Sequence, residues 1–157
     1  MQKRFITLGQ AQLGTPYVYG GNTPGSFDCS GFSSYLYITN GIDIHRGASS
    51  QMQDGLIISQ RDLQIGDLVF FRIGDDDSLA SHVGVYVGNG QMIHAGSSGI
   101  CYADLSIDYW VDSYIGARRM VLTDPNNPMR YMTTDTNQLF TGGSVLLSKN
   151  GPFTMMQ

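Results

Sequence analysis

At 157 residues the chain is long enough for one compact domain, which at that size buries roughly two-thirds of its unfolded surface without disulfide or metal support. Charged residues make up 14% of it and the net charge is −4, so the basic stripe by which a protein tracks phosphates is missing, which argues against a nucleic-acid partner. No segment approaches the ~20 apolar residues of a membrane helix, so no membrane partner is expected. The opening MQKRFITLGQAQLG has neither the apolar run nor the small-residue cleavage site of a secretion signal, so synthesis in the cytoplasm without a signal peptide is expected.

In chain order, KRFITLGQAQL (3–13) places Phe5, Leu8 and Gln12, or Ile6 and Leu13, near one face at helical spacing, with Gly9 as a weak point. GTPYVYGGNTPGS then ends the helix in a Gly- and Pro-rich loop expected to hold Tyr17 and Tyr19 close to the backbone of the next element. CSGFSSYLYI (29–38) spaces Phe32, Tyr35 and Leu36 by three and four, which predicts a helix with Cys29 in its first turn and Asp28 or Ser26 as N-cap. GIDIHRGASSQMQDG reads as loop and short helix. LQIGDLVFFRI reads as turn and buried strand, SHVGVYVGNGQMIHAG as strand, turn and strand, and SYIGARRMV as a last strand. Helices first and antiparallel strands afterwards predict an α+β domain, with helices on one face of a sheet.

The domain is expected to span 1–121. Beyond it, TDPNNP begins a C-terminal extension, 122–157, with one short strand-like run from Val145 to Leu147. At about 35 residues this extension is below the ~40 that support an unaided core, so it must pack on the domain, pack on a partner or stay mobile.

Cys29 carries the chemistry. Free cysteines are commonly buried packing residues, but a helix N-terminus favours anions and lowers a thiol pKa toward roughly 3.5–7.5 when a basic partner is near. His82 and His94, on the two strands of one hairpin, are the candidate partners. A two-residue Asn89-Gly90 turn would pair Val85 with His94 and leave the imidazoles on opposite faces. A three-residue Gly88-Asn89-Gly90 loop with a bulge would pair Gly84 with His94 and put both imidazoles on one face. His82 would then act as general base on the Cys29 thiol, and His94 would orient it. The other cysteine, Cys101, is read as a separate, incidental thiol that could become a competing ligand if the chain folds it back near His94.

Four stretches together, LGTPYVYGGNTPGSFDCSGF, LQIGDLVFF, SHVGVYVGNGQMIHAG and YIGARRM, occur in the order and with the character of the NlpC-type cell-wall cysteine peptidases, a papain-like family, over roughly residues 5–120. The resemblance implies a sheet packed on the helix that carries Cys29, and cleavage of peptidoglycan stem peptides, typically between D-γ-glutamyl and a diamino acid. It implies Cys29 as nucleophile, His82 as base and His94 as orienting residue, with the oxyanion held by the Cys29 N–H and the Tyr17 hydroxyl. Asp28, Ser30 and Ser81 resemble substrate-contacting residues. Asp28 could meet a stem-peptide ammonium or serve only as N-cap. Arg46 could face a substrate carboxylate or be a solvated loop residue, and His45 reads as surface. Asp67 reads as a turn acceptor, and the run Asp75-Asp76-Asp77 as a solvated loop.

Alternative chemistries with the same thiol are an amidase between sugar and stem, or acyl transfer. Cys29, His82, His94 and Cys101 are nominal zinc ligands, but no close pair of finger type exists, and no metal or other cofactor is expected. A different class is a mainly structural protein. With no export signal and an extension that cannot fold alone, delivery by a phage tail or similar assembly through 122–157 is an expectation, which would make the protein virion-associated and place its action at the cell wall or periplasm.

Overall fold

The computed structural model describes residues 2–74 and 79–120, with side chains from Ile6 onward. The Asp75–Asp77 run, the extension 122–157 and the side chain of Phe5 lie outside the described residues. In chain order the elements are α1 (Gln2–Ala11), β1 (Asn22–Thr23), β2 (Ser26–Phe27), α2 (Cys29–Thr39), α3 (Ala48–Gln51), β3 (Leu56–Ile58), β4 (Leu68–Phe71), β5 (His82–Gly88), β6 (Gln91–Gly96), β7 (Gly99–Asp104), α4 (Asp108–Ser113) and β8 (Tyr114–Arg119). Six strands form one antiparallel sheet in the order β3-β8-β4-β5-β6-β7. This is the α+β architecture expected from helices preceding strands.

The sheet separates two apolar layers. LVFF of β4 is buried along its whole length and alternates between them, Leu68 and Phe70 toward the layer that receives α2, Val69 and Phe71 toward the other. A strand covered on both faces reads as an unbroken apolar run. On the first side, Phe32, Leu36 and Tyr37 of α2 meet Val83, Val85, Ile93 and Ala95. Gly9 explains how α1 joins them: a Cβ there would come 3.2 Å from Ile93 Cδ1 and 3.8 Å from Phe32. What reads as a weak point in the helix is therefore a close approach to the sheet.

The β5–β6 hairpin combines the two turn readings. Asn89 and Gly90 are both left-handed, with φ of 54° and 74°, as a two-residue type I′ turn requires. The register slips between Tyr86 and Gly88, so that Tyr86 faces Met92 and Val85 faces Ile93. One extra residue in β5 thereby shifts His94 from Val85 to the level of Gly84. The three-residue loop is not formed; a bulge inside the strand restores the shared face instead.

Several elements are not legible in the sequence: β3, β7, α4 and the β1–β2 ribbon. Strand β7 is buried only at Gly99 and Ile100 and afterwards runs along the sheet edge. Its GICYAD composition therefore reads as a polar stretch. Helix α4 has only six residues, none of them fully buried, too few to register a helical period.

Candidate active site

Asp28 starts α2 with extended backbone, and its Oδ1 accepts the Gly31 N–H at 2.7 Å, the N-cap geometry. Its Oδ2 accepts the Gly20 N–H at 3.0 Å and Arg46 Nη2 at 2.9 Å. Arg46 also donates to Ser30 Oγ at 2.7 Å and to the Gly21 carbonyl at 3.1 Å. Burial works against the Asp28 carboxylate, but the Arg46 and Gly31 hydrogen bonds outweigh it and hold its pKa below the usual value. Of the two readings of Asp28, the N-cap is the one this geometry shows. The side chains of Asp28 and Ser30 are both engaged by Arg46, and the network clamps the 17–27 loop onto the first turn of α2. Ser81 is likewise turned inward: its hydroxyl accepts the Ile73 N–H at 2.7 Å and faces the Phe71 carbonyl at 3.4 Å. His45 is exposed as expected, yet its Nδ1 contacts Asp54 at 2.7 Å.

Cys29 is the first residue of α2. Burial pushes its thiol pKa up, and the Asp28 carboxylate adds to this; the nearby backbone N–H groups of Val83, Ser30 and Cys29 itself oppose the rise without cancelling it. The resting group is thus a neutral thiol, where the helix terminus alone suggested a thiolate. The influence of the Val83 N–H places the sulfur near the strand residue that follows His82.

His82 Nε2 and His94 Nδ1 are 2.8 Å apart, with the rings nearly perpendicular. Burial pushes both pKa values down, that of His82 to about 3 with the neighbouring His94 contributing, and that of His94 to about 4. Both imidazoles are therefore neutral near pH 7. With Nε2 of His82 occupied by His94, Nδ1 is the nitrogen left for the thiol. A neutral thiol and a neutral, oriented imidazole are together the resting state that general-base catalysis requires.

Trp110, the chain's single tryptophan and absent from the sequence-predicted site, covers this pair. Its indole stacks on His82 at 5.6 Å and 27° and meets His94 edge-on at 5.1 Å. Phe71 supports it from below at 4.9 Å. A signal was present in its uniqueness and its place between the hairpin and the last strand, but nothing local in DYWVDS ties it to a histidine.

A cavity of about 510 Å³ opens beside the histidines, with Tyr17, Ile73, His82, His94, Cys101 and Trp110 in its wall. Tyr17 pairs its backbone with Phe27. Its phenol pKa is raised by burial and by the nearby Cys29 and Asp28, which keeps the hydroxyl a protonated donor close to the sulfur. Tyr19, by contrast, is 92% exposed and is not held against the neighbouring element. Cys101 does fold back: it is the cross-strand partner of His94, and its Sγ lies 3.7 Å from His94 Nε2. Both cysteines are free thiols.

Residues 14–119 match the model of the NlpC/P60 family. The chain is 42% identical over 115 residues to a probable endopeptidase p60 of Listeria seeligeri, an alignment covering 73% of this chain and 21% of the relative. It is 35% identical over 116 residues to a gamma-D-glutamyl-L-lysine dipeptidyl-peptidase of Bacillus cereus, covering 73% of this chain and 35% of the relative. The chain thus spans about a fifth to a third of the length of these relatives. Among solved structures, an NlpC/P60 family protein from Bacillus cereus superposes with a TM-score of 0.71 at 34% identity, over 76% of this chain and 40% of that one.

Proposed function

Because this chain belongs to the NlpC/P60 family, we propose that it is a cysteine peptidase of bacterial peptidoglycan, hydrolysing stem peptides at the bond between D-γ-glutamyl and a diamino acid. The observation that carries this reading is the 2.8 Å contact that joins His82 to His94, with Val83, the next residue of the strand, next to Cys29. The name of the Bacillus cereus dipeptidyl-peptidase supports the choice of bond.

In this mechanism His82 Nδ1 takes the Cys29 proton as the sulfur attacks the scissile carbonyl carbon. The carbonyl electrons move to oxygen, which the Cys29 N–H and the Tyr17 hydroxyl receive. Collapse expels the amine, which takes the proton from His82 and leaves a thioester. Water, deprotonated by His82, then attacks the thioester, and Cys29 departs with the returned proton. His94 holds the ring of His82 through Nε2, and Trp110 shields the imidazolium that forms transiently; an indole face over a cation is worth about 0.5–2 kcal/mol.

The place of action in this reading is the bacterial cell wall or periplasm. Delivery by a phage tail or a similar assembly, with residues 122–157 as the docking segment, is proposed alongside it. The deciding experiment is a mass-spectrometric digest of purified stem peptides with the wild type and Cys29→Ala. New fragments split after D-γ-glutamyl, from the wild type alone, are the expected result. No fragments from a folded wild type, or equal fragmentation by Cys29→Ala, would overturn the thiol mechanism.

A further inference from the structure

Two neutral imidazoles joined by one hydrogen bond admit two orders of protons. In one, His82 carries its proton on Nε2 and donates to His94 Nδ1, so His94 must carry its own on Nε2. In the other, His94 Nδ1–H donates to His82 Nε2 and the proton of His82 sits on Nδ1. Only the first leaves a lone pair on His82 Nδ1 to take the Cys29 proton. A neutral histidine fixes its tautomer by the hydrogen bonds it makes, so the far end of the pair decides which order is populated.

That far end is occupied. His94 Nε2 lies 3.7 Å from Cys101 Sγ, within the longer reach of a hydrogen bond to sulfur. The contact is built into the β6–β7 ladder, where His94 faces Cys101 directly. Gly96 makes room for it: a Cβ there would stand 3.2 Å from His94 Cε1 and 3.3 Å from Cys101 Sγ, so a side chain would crowd both partners at once. The near end sets the direction. Burial keeps the Cys29 thiol protonated, so at this end an S–H is available to donate to His82. Donors then run one way, from Cys29 through His82 and His94, and the chain needs an acceptor after His94.

We propose that Cys101 is a positioning residue whose sulfur accepts the His94 Nε2–H and thereby holds the imidazole pair in the proton order that makes His82 a base. No proton passes to Cys101; it keeps its own. The inference rests on the peptidase reading for its catalytic consequence, but its structural content, the His94 tautomer, is measurable without turnover.

The test uses the full chain with 15N-labelled histidine. Long-range 1H–15N spectra should show His94 as the Nε2–H tautomer in the wild type and in Cys101→Ser, which keeps an acceptor. In Cys101→Ala the spectra should show a mixture with the Nδ1–H form. On stem peptides Cys101→Ala should lose about two- to tenfold in kcat with KM unchanged, the range set by the net worth of one hydrogen bond, and Cys101→Ser should recover most of it. An Nδ1–H tautomer in the wild type overturns the proposal. So does a Cys101→Ala protein with the wild-type tautomer. A wild type that cleaves no stem peptide would instead overturn the peptidase reading, while the tautomer spectra still decide the role of Cys101.

Discussion

His82 and His94 are held neutral because Trp110, Phe71 and the strand around them keep water away. Burial is the first cause of both depressed pKa values, and the indole of Trp110 is the part of that cover most open to mutation. Trp110→Ala should hydrate the pair and raise the pKa of His82 toward its ordinary 6.5. A base must be unprotonated to act, so activity disappears as pH falls through its pKa. The acid limb of kcat/KM, which reports the free enzyme, is expected near pH 3–4 in the wild type and closer to pH 6 in Trp110→Ala. A pH–rate profile of the two proteins checks this, and an unmoved acid limb would show that Trp110 does not set the burial of His82.

The first turn of α2 is built as a socket for the preceding loop. The Gly21 carbonyl accepts the Asp28 N–H at 2.9 Å and the Arg46 guanidinium at 3.1 Å, and it presses on Gly31 so closely that a Cβ there would lie 1.9 Å from its oxygen. The obstacle is backbone, not the end of a flexible side chain. Gly31→Ala should therefore push the loop off the helix, costing about 1–3 kcal/mol as overpacking does and displacing Tyr17 and the Asp28–Arg46 pair with it. Urea unfolding would show the lower midpoint, and stem-peptide hydrolysis a larger loss than stability alone predicts. A midpoint equal to the wild type would mean that the loop yields at no cost.

For the whole molecule, the neutral imidazoles are a liability in acid. Once unfolded they titrate near 6.5, and folded near 3 and 4. Below pH 6.5 the unfolded state thus binds more protons, and stability falls as pH falls, by about 1.4 kcal/mol per pH unit for each group. Between pH 6.5 and about 4 the His82→Ala/His94→Ala protein should lose stability with a visibly shallower slope than the wild type, even though the cavities lower its stability at every pH. Chemical denaturation across that range measures the slopes, and parallel slopes would refute the buried neutral pair. Elsewhere the sheet is locked by Arg119 of β8, whose guanidinium grips the buried Asp67 carboxylate at 2.8 Å through both Nε and Nη2. Asp67 also accepts the Gln64 N–H of its turn, so the expected turn acceptor is at the same time the anchor of the last strand.

The sequence by itself determined the α+β class, the helix with Cys29 at its start, the buried β4 run and the pairing of His82 with His94 as candidates, because periodicity, capping and turn chemistry are local properties. It left the hairpin register open, since a bulge at Val87 costs one residue and leaves no mark in composition. Only the tertiary structure decided that Asp28, Ser30 and Arg46 bind one another, that burial outweighs the helix terminus at the Cys29 thiol, and that Trp110 and Cys101 close around the histidines. Each of these depends on contacts between segments far apart in the chain, and on how much water those contacts exclude, which residue spacing does not encode.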